Sequence, residues 1–233
     1  MIKLRSVTKD YQVGGQDVRA LASVDLEIAQ GEFVSVVGPS GAGKSTLLHI
    51  LGAVDTPDSG SVRFRDEDIT NLGEREQAAF RLRRIGFVFQ FFNLLPTMSA
   101  WENVALPKLL SGTSLRAAKA GACTLLETVG LADRVDHRPS ELSGGQMQRV
   151  AVARALVMDP DVILADEPTG NLDSKTGAGV LSLLSMFAHN SDRPRAVVMV
   201  THNEQATTYT DRVIRMQDGR VHDDSVIGEG AMS

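Results

Sequence analysis

The sequence has one cysteine, Cys123, and a single thiol can build neither an internal disulfide nor a cysteine metal cluster. Its setting, GACTLLE, reads as a small packing position on a helix, in keeping with a reducing compartment. Basic charge is also short: 24 Lys and Arg face 29 Asp and Glu, a formal net charge of −5. That leaves no overall positive field to hold nucleic acid, so nucleic acid is not expected as a partner. No apolar run nears the ~18 residues of a spanning helix, and the opening MIKLRSVTKD lacks the apolar stretch of a signal peptide. The expectation is a soluble chain with no membrane span, which would reach a membrane only through a partner. Internal repeats and low-complexity segments are missing as well.

What is present is ordinary globular material, 42% hydrophobic and 23% charged over 233 residues, enough for a sizeable core with a small insertion. IKLRSV and LASVDLEI alternate apolar and polar residues, as half-exposed antiparallel strands do, with a flexible VGGQ between them. GEFVSVVG is a more continuous apolar run, which suits a buried strand feeding a tight turn. KSTLLHILGA has helical spacing, and SGSVRFRDEDI returns to strand and turn. From about Thr97 to Glu141 the pattern is helical, after which VILAD and AVVMVTH flank SKTGAGVLSLLSMF. That strand, helix, strand order implies a parallel sheet. The reading is an α/β core, residues 1–90 and 142–233, interrupted by a helical insertion at 91–141. The tail after Met216 begins as a hairpin and ends polar and loose.

GPSGAGKS fits the phosphate-loop pattern, with Gly38, Gly43, Lys44 and Ser45 in the diagnostic places between a predicted buried strand and a predicted helix. Its glycines let successive N–H groups point at phosphate oxygens, helped by the helix dipole. Lys44 is suited to bridge β- and γ-phosphates, Ser45 to ligate magnesium, and Thr46 to reach the α-phosphate. VILADEP brings Asp166 and Glu167 to the carboxyl end of a buried strand, the edge where open α/β sheets bind ligands. Asp166 can hold magnesium through water, and Glu167 can act as general base on an attacking water. VVMVTHN repeats the geometry and ends in His202, suited to the γ-phosphate and the in-line water. Gln90, after IGFVF, has an amide fit for magnesium and water. His49, His137, His189 and His222 read as structural or surface positions. Tyr11, in KDYQVGG, fits a stacking platform and ordinary packing equally well.

A second helix start of this glycine-rich kind, ELSGGQMQRVAVARAL, opens at Leu142. Gly38 to Thr46, Gln90, LSGGQ, Asp166 with Glu167, NLD at Asn171 to Asp173, and His202 follow one another in a telling order and spacing. Over essentially its whole length the chain resembles an ATP-binding cassette transporter ATPase. The resemblance implies a RecA-like P-loop NTPase core carrying an N-terminal antiparallel β subdomain and an inserted α-helical subdomain. It implies ATP and Mg2+ as cofactors, with ATP held by Gly38, Pro39, Ser40, Gly41, Ala42, Gly43, Lys44, Ser45 and Thr46, and by Tyr11 under the adenine with Val18 beside it. Ser45, Gln90 and Asp166 are the implied metal ligands, and Glu167, His202 and Gln90 the implied catalytic set. It also implies a head-to-tail homodimer in which Leu142, Ser143, Gly144, Gly145 and Gln146 of one monomer cap the nucleotide of the other, with Asp173 at the interface. Permease subunits in a bacterial inner membrane are the implied partners, met at its cytoplasmic face. FQFFNLLP and HRPSE, with Arg138 and Glu141, would flank the docking groove. GPSGAGKSTLLHILGAVDTPDSG, FQFFNLLPTMSAWENVALP and LADEPTGNLDSKTG look most like the branch containing lipoprotein-release, macrolide-export and related ATPases. Asn203 departs from the family, which usually has aspartate after the histidine.

Overall fold

A computed structural model describes residues 1–227 of the chain. Strands β1 (Ile2–Val13) and β2 (Gln16–Ile28) pair antiparallel through the Gly14–Gly15 turn. They run longer than the alternating pattern suggests, because register shifts after Leu4, Val7 and Lys9 let the ladder continue past breaks in that pattern. β3 (Phe33–Val37) is buried at every position and leads through a tight turn into helix α1 (Lys44–Leu51). β4 (Ser59–Phe64) returns to pair with β1, and β5 (Glu67–Asp68) closes a four-stranded sheet in the order β2-β1-β4-β5.

Helix α2 (Glu74–Arg84) has no counterpart in the sequence reading. It buries only Phe80, so it carries almost no apolar stripe. Its stability comes instead from ends that suit the helix dipole, Glu74 and Glu76 in the first turn and Arg81, Arg83 and Arg84 in the last. β6 (Ile85–Phe89) follows, then the helices α3 (Ala100–Leu110), α4 (Leu115–Thr128) and α5 (Gly144–Leu156). Asn103, fully buried on α3, organises the chain before it by donating to the carbonyls of Leu95, Met98 and Ser99 and accepting from the Leu95 amide. Its neighbour Trp101 is half-buried, with the Lys119 ammonium of α4 4.6 Å from the ring centroid.

β7 (Val162–Asp166), α6 (Ser174–Ala188), β8 (Ala196–Val200), β9 (Arg212–Gln217) and β10 (Arg220–Val226) complete a six-stranded sheet ordered β10-β9-β3-β8-β7-β6. All neighbours from β9 to β6 run parallel, as the strand, helix, strand pattern requires, and β10 turns back antiparallel on β9. The expected loose end of the tail lies outside the described residues. One core fills the space between the two sheets around α1, with Ile2, Leu4, Leu26, Leu47 and Leu51 buried. The other packs the parallel sheet against the helices through Phe33, Val104, Leu126, Val150 and Leu184. At the amino edge of the parallel sheet, the nearly buried Asp161 is gripped by Arg65 at 2.7 Å and Arg84 at 2.9 Å, joining β7 to the antiparallel sheet and to α2. Among the described residues, no helix is long and apolar enough to cross a membrane.

Candidate functional site

The turn from β3 to α1 bends as its glycines permit. Gly41 and Gly43 have φ of 80° and 95°, the left-handed region that side chains resist. At Gly38 a Cβ would stand 2.2 Å from the Met216 carbonyl oxygen, and at Gly43 2.2 Å from that of Ala20. Ala42 is buried beneath the loop, while Pro39, Ser40 and Gly41 are exposed along its crest. Lys44 curls back over the loop, its ammonium donating to the carbonyls of Gly38 at 2.8 Å and Pro39 at 2.9 Å. Ser45 stands exposed in the first turn of α1, with Thr46 next to it.

Sheet register then gathers the other predicted residues along the same edge. Phe89 pairs with Asp166 and Asp166 with Val200, while Val36 pairs with Val200 from the other side. Gln90, Glu167, His202 and Gly38 therefore emerge from four adjacent strand ends. A cleft of about 340 Å³ has Gly38 and Pro39 on one wall and His202 on another. His202 Nδ1 lies 2.7 Å from Glu167 Oε1, and a carboxylate can only accept, so the imidazole N–H donates. The Thr201 hydroxyl donates to Glu167 Oε2 at 3.2 Å, so both carboxylate oxygens are oriented. The Glu167 backbone has φ 45°, a left-handed conformation costing a non-glycine residue roughly 1–2 kcal/mol, held by its N–H bond to the Val200 carbonyl.

Burial pushes the Asp166 carboxyl above its usual range, and the adjacent Glu167 adds to this, while His49 and Lys44 pull the other way. A cation at this edge would relieve that like-charge pair. Ser45, Gln90 and Asp166 offer hard oxygen donors of the kind Mg2+ takes, and few enough to leave it several waters. Among the described residues no cluster of three His, Cys, Asp or Glu side chains forms a dedicated metal cage. Gln90 Nε2 donates to Asn171 Oδ1 at 3.3 Å and Asn171 Nδ2 returns a bond to the Gln90 carbonyl at 3.0 Å. Its side chain rests on Gly170, where a Cβ would stand 2.8 Å from Nε2.

The second glycine-rich start is built differently. Ser143 is exposed and caps α5, its Oγ accepting from the Gln146 amide at 3.3 Å while Gln146 Oε1 accepts from the Ser143 amide at 2.9 Å. Leu142 anchors the turn in the helical core. A Cβ on Gly145 would lie 2.1 Å from Thr176 Cγ2, and one on Gly144 3.4 Å from Leu172. Asp173 caps α6, accepting from the Thr176 amide at 3.0 Å, and the Thr176 side chain together with that amide holds its carboxyl below the usual range. The motif and the NLD turn thus pack on each other.

Tyr11 and Val18 are cross-strand partners on the long hairpin. The Tyr11 hydroxyl donates to Asp55 at 2.8 Å, and Lys9 grips the other Asp55 oxygen at 2.9 Å. Burial and the Asp55 bond raise the phenol, while Thr46, at the start of α1, pulls it the other way. The ring is anchored at its polar tip, and the Lys9 ammonium lies over it, 5.3 Å from the centroid.

A groove of about 610 Å³ opens between α2, β6 and the end of α5, lined by Val54, Leu82, Phe87, Phe89 and Met158 among others. Phe89 and Phe92 are half-buried and Phe91 is 72% exposed, so these phenylalanines are not core. Arg138 and Glu141 form an exposed capped turn, with the Arg138 amide donating to Glu141. Asn203 caps the short helix after His202 by accepting from the Gln205 amide. Sequence reasoning did not single out Thr201 and took Asn171 only as the start of the NLD motif; their polar side chains complete the Glu167 and Gln90 contacts. It also passed over Gln148 and Arg154, which look like ordinary helix residues until their partners are known.

The family model described as ABC transporter matches residues 21–170. The lipoprotein-releasing system ATP-binding protein LolD of Geobacter metallireducens is 50% identical over 221 residues, 95% of this chain and 97% of that protein. The macrolide export ATP-binding/permease protein MacB of Bdellovibrio bacteriovorus is 46% identical over 96% of this chain, which spans only 34% of MacB. A dimeric structure of a post-hydrolysis state of the ATP-binding cassette MJ0796, bound to ADP and Pi, superposes with a TM-score of 0.89 at 41% identity. The match covers 99% of this chain and 100% of that one.

Proposed function

This chain belongs to the ABC transporter family and is an ATPase, and from that premise we propose that it works as a head-to-tail homodimer closing around two ATP molecules to drive a membrane permease. Residues 1–90 and 142–233 form the nucleotide-binding core and 91–141 the helical insert. Gly38 to Thr46 hold the phosphates, and Tyr11 with Val18 receives the adenine. Leu142 to Gln146 and Asp173 meet the partner's nucleotide. The reading is carried by one observation: register aligns Gln90, Glu167 and His202 beside the phosphate loop, while the Ser143 cap of α5 stands exposed.

Ser45, Gln90 and Asp166 are the groups that would hold Mg2+, which supplies charge neutralisation on the β- and γ-phosphates. Glu167, oriented by His202 and Thr201, takes a proton from water as the water oxygen bonds to the γ-phosphorus and the bond to the ADP oxygen breaks. His202 is shared between Glu167 and the γ-phosphate, so it orients the base and steadies developing charge. Gln90, released from Asn171, completes the water's placement. The apolar groove beside β6, with Phe91 at the adjoining turn and Arg138 and Glu141 beyond, receives the permease at the cytoplasmic face of the inner membrane. The likeness to LolD and to the ATPase portion of MacB supports a lipoprotein-release or macrolide-export type of system.

Glu167→Gln tests the reading. Turnover should fall at least about 10²-fold while ATP still binds. The mass of this variant in solution should shift from monomer to dimer with ATP and magnesium. A variant that stays monomeric with ATP demonstrably bound would sink the dimer, and one that hydrolyses near the wild-type rate would remove Glu167 from its role.

A further inference from the structure

Helix α5 begins at the outward-facing Ser143 cap, and two of its side chains leave the helix to hold the main chain of other elements. Gln148 is fully buried. Its Nε2 donates to the Phe89 carbonyl at 3.3 Å and to the Pro168 carbonyl at 2.7 Å. Those residues immediately precede Gln90 and immediately follow Glu167. Only the NH2 end of an amide can donate to two carbonyls, so the side chain has one orientation. Its Oε1 accepts no hydrogen bond among the described residues, an unfavourable state for a buried acceptor. An apolar side chain of similar volume would avoid that cost, so what the amide contributes is the double attachment.

Arg154, in the last turn of α5, makes a second attachment. Its guanidinium donates to the Phe92 carbonyl at 2.8 Å and to the Asn93 carbonyl. Burial lowers its pKa, and among the described residues no carboxylate pairs with it. Phe92 and Asn93 have φ of 58° and 50°, two successive left-handed residues that persist only where their surroundings hold them. Through these bonds α5 grips the main chain on both sides of Gln90, and the turn after Glu167.

We propose that Gln148 is a positioning residue that ties α5 to Gln90 and Glu167, so that movement of α5 against the partner's nucleotide resets the reacting groups at its own chain's nucleotide. Arg154 reinforces the tie on the Gln90 side. The two ATP sites of the dimer are then coupled through the interior of each subunit. This inference rests on the homodimer reading above.

The test is Gln148→Met, which keeps length and volume and removes both donors. Its ATP KM should stay within about threefold of wild type while kcat falls about tenfold or more, and the Hill coefficient for ATP should drop towards one. Arg154→Lys, which keeps the charge but loses the fork, should lower kcat in the same way but less, about threefold. In the Glu167→Gln background, Gln148→Met should still dimerise with ATP. A kcat within twofold of wild type, a Hill coefficient unchanged from wild type, or a loss of kcat matched by loss of ATP binding and of thermal stability would overturn the proposal. Failure of the Glu167→Gln parent itself to dimerise would instead remove the homodimer reading, and the coupling with it.

Discussion

The chain starts two helices on glycine-rich turns and uses glycine for a different reason in each. Between β3 and α1, Gly41 and Gly43 take up left-handed φ, and what bars a side chain at Gly38 or Gly43 is a backbone carbonyl. There glycine sets the direction of the main chain. At the start of α5, Gly144 and Gly145 have helical geometry, and what bars a Cβ at Gly145 is the methyl of Thr176. There glycine keeps the helix end thin. The first turn curls on itself beneath the Lys44 ammonium, which bonds the Gly38 and Pro39 carbonyls; the second is a flat capped end supported from behind by α6. A wrapping turn suits a ligand held by one chain, and a flat end suits something brought by another.

The contrast breaks most visibly under Lys44→Ala and Gly144→Asp. Lys44→Ala should weaken ATP binding about tenfold or more and lower turnover about 10³-fold, because the ammonium's attraction to the phosphates is lost in the ground state and, to a greater extent, in the transition state. Gly144→Asp should leave ATP binding by the monomer within about threefold, yet lower turnover about 10²-fold and abolish the ATP-driven dimer, since a carboxylate would meet the partner's phosphate. Equal loss of ATP binding in both variants, measured by titration, would erase the distinction.

A smaller effect separates the two kinds of glycine. Gly145→Ala should cost about 1–3 kcal/mol by overpacking against Thr176, and Thr176→Ser in the same chain should restore most of it. Gly43→Ala should destabilise too, but trimming neighbouring side chains cannot rescue it, because the obstruction is the Ala20 carbonyl and the φ is left-handed. Urea denaturation of the four proteins distinguishes the cases.

The smallest effect concerns Asp166 and runs with pH. Its folded-state pKa is raised, so its ionisation opposes folding once pH climbs above the ordinary aspartate range. Asp166→Asn should therefore be more stable than wild type by about 1 kcal/mol near neutral pH in the absence of nucleotide and metal. The advantage should shrink as pH falls and vanish near pH ~3, where both states of the wild type are protonated. Turnover should be lost at every pH. A stability difference that is flat with pH would mean the Asp166 and Glu167 pair is not under electrostatic tension.

Much of this was legible in the sequence because the site is a row of residues that follow apolar runs. IGFVF, VILAD and AVVMV are buried strands, so the residues after them had to surface at one sheet edge. α2 was hidden because it has no stripe to detect; its ends carry the signal in charge rather than hydropathy. Gln148 and Arg154 were hidden for the opposite reason. They sit in an unmistakable helix, and nothing in QMQRVAVARAL says which polar residues turn inward to hold carbonyls far earlier in the chain or, for Gln148, 20 positions later. Tyr11 could be assigned from the resemblance alone, since its anchor, Asp55, lies far along the chain.

Trp101 is the single tryptophan of the chain, and it lies on α3 with a lysine ammonium against its ring. The protein thereby carries a native fluorophore on the helices rather than on the nucleotide edge. Its emission can be followed without a label, and it reports on its own surroundings rather than on adenine. A colour shift on adding ATP would show that the surroundings of α3 change when nucleotide binds at the distant sheet edge.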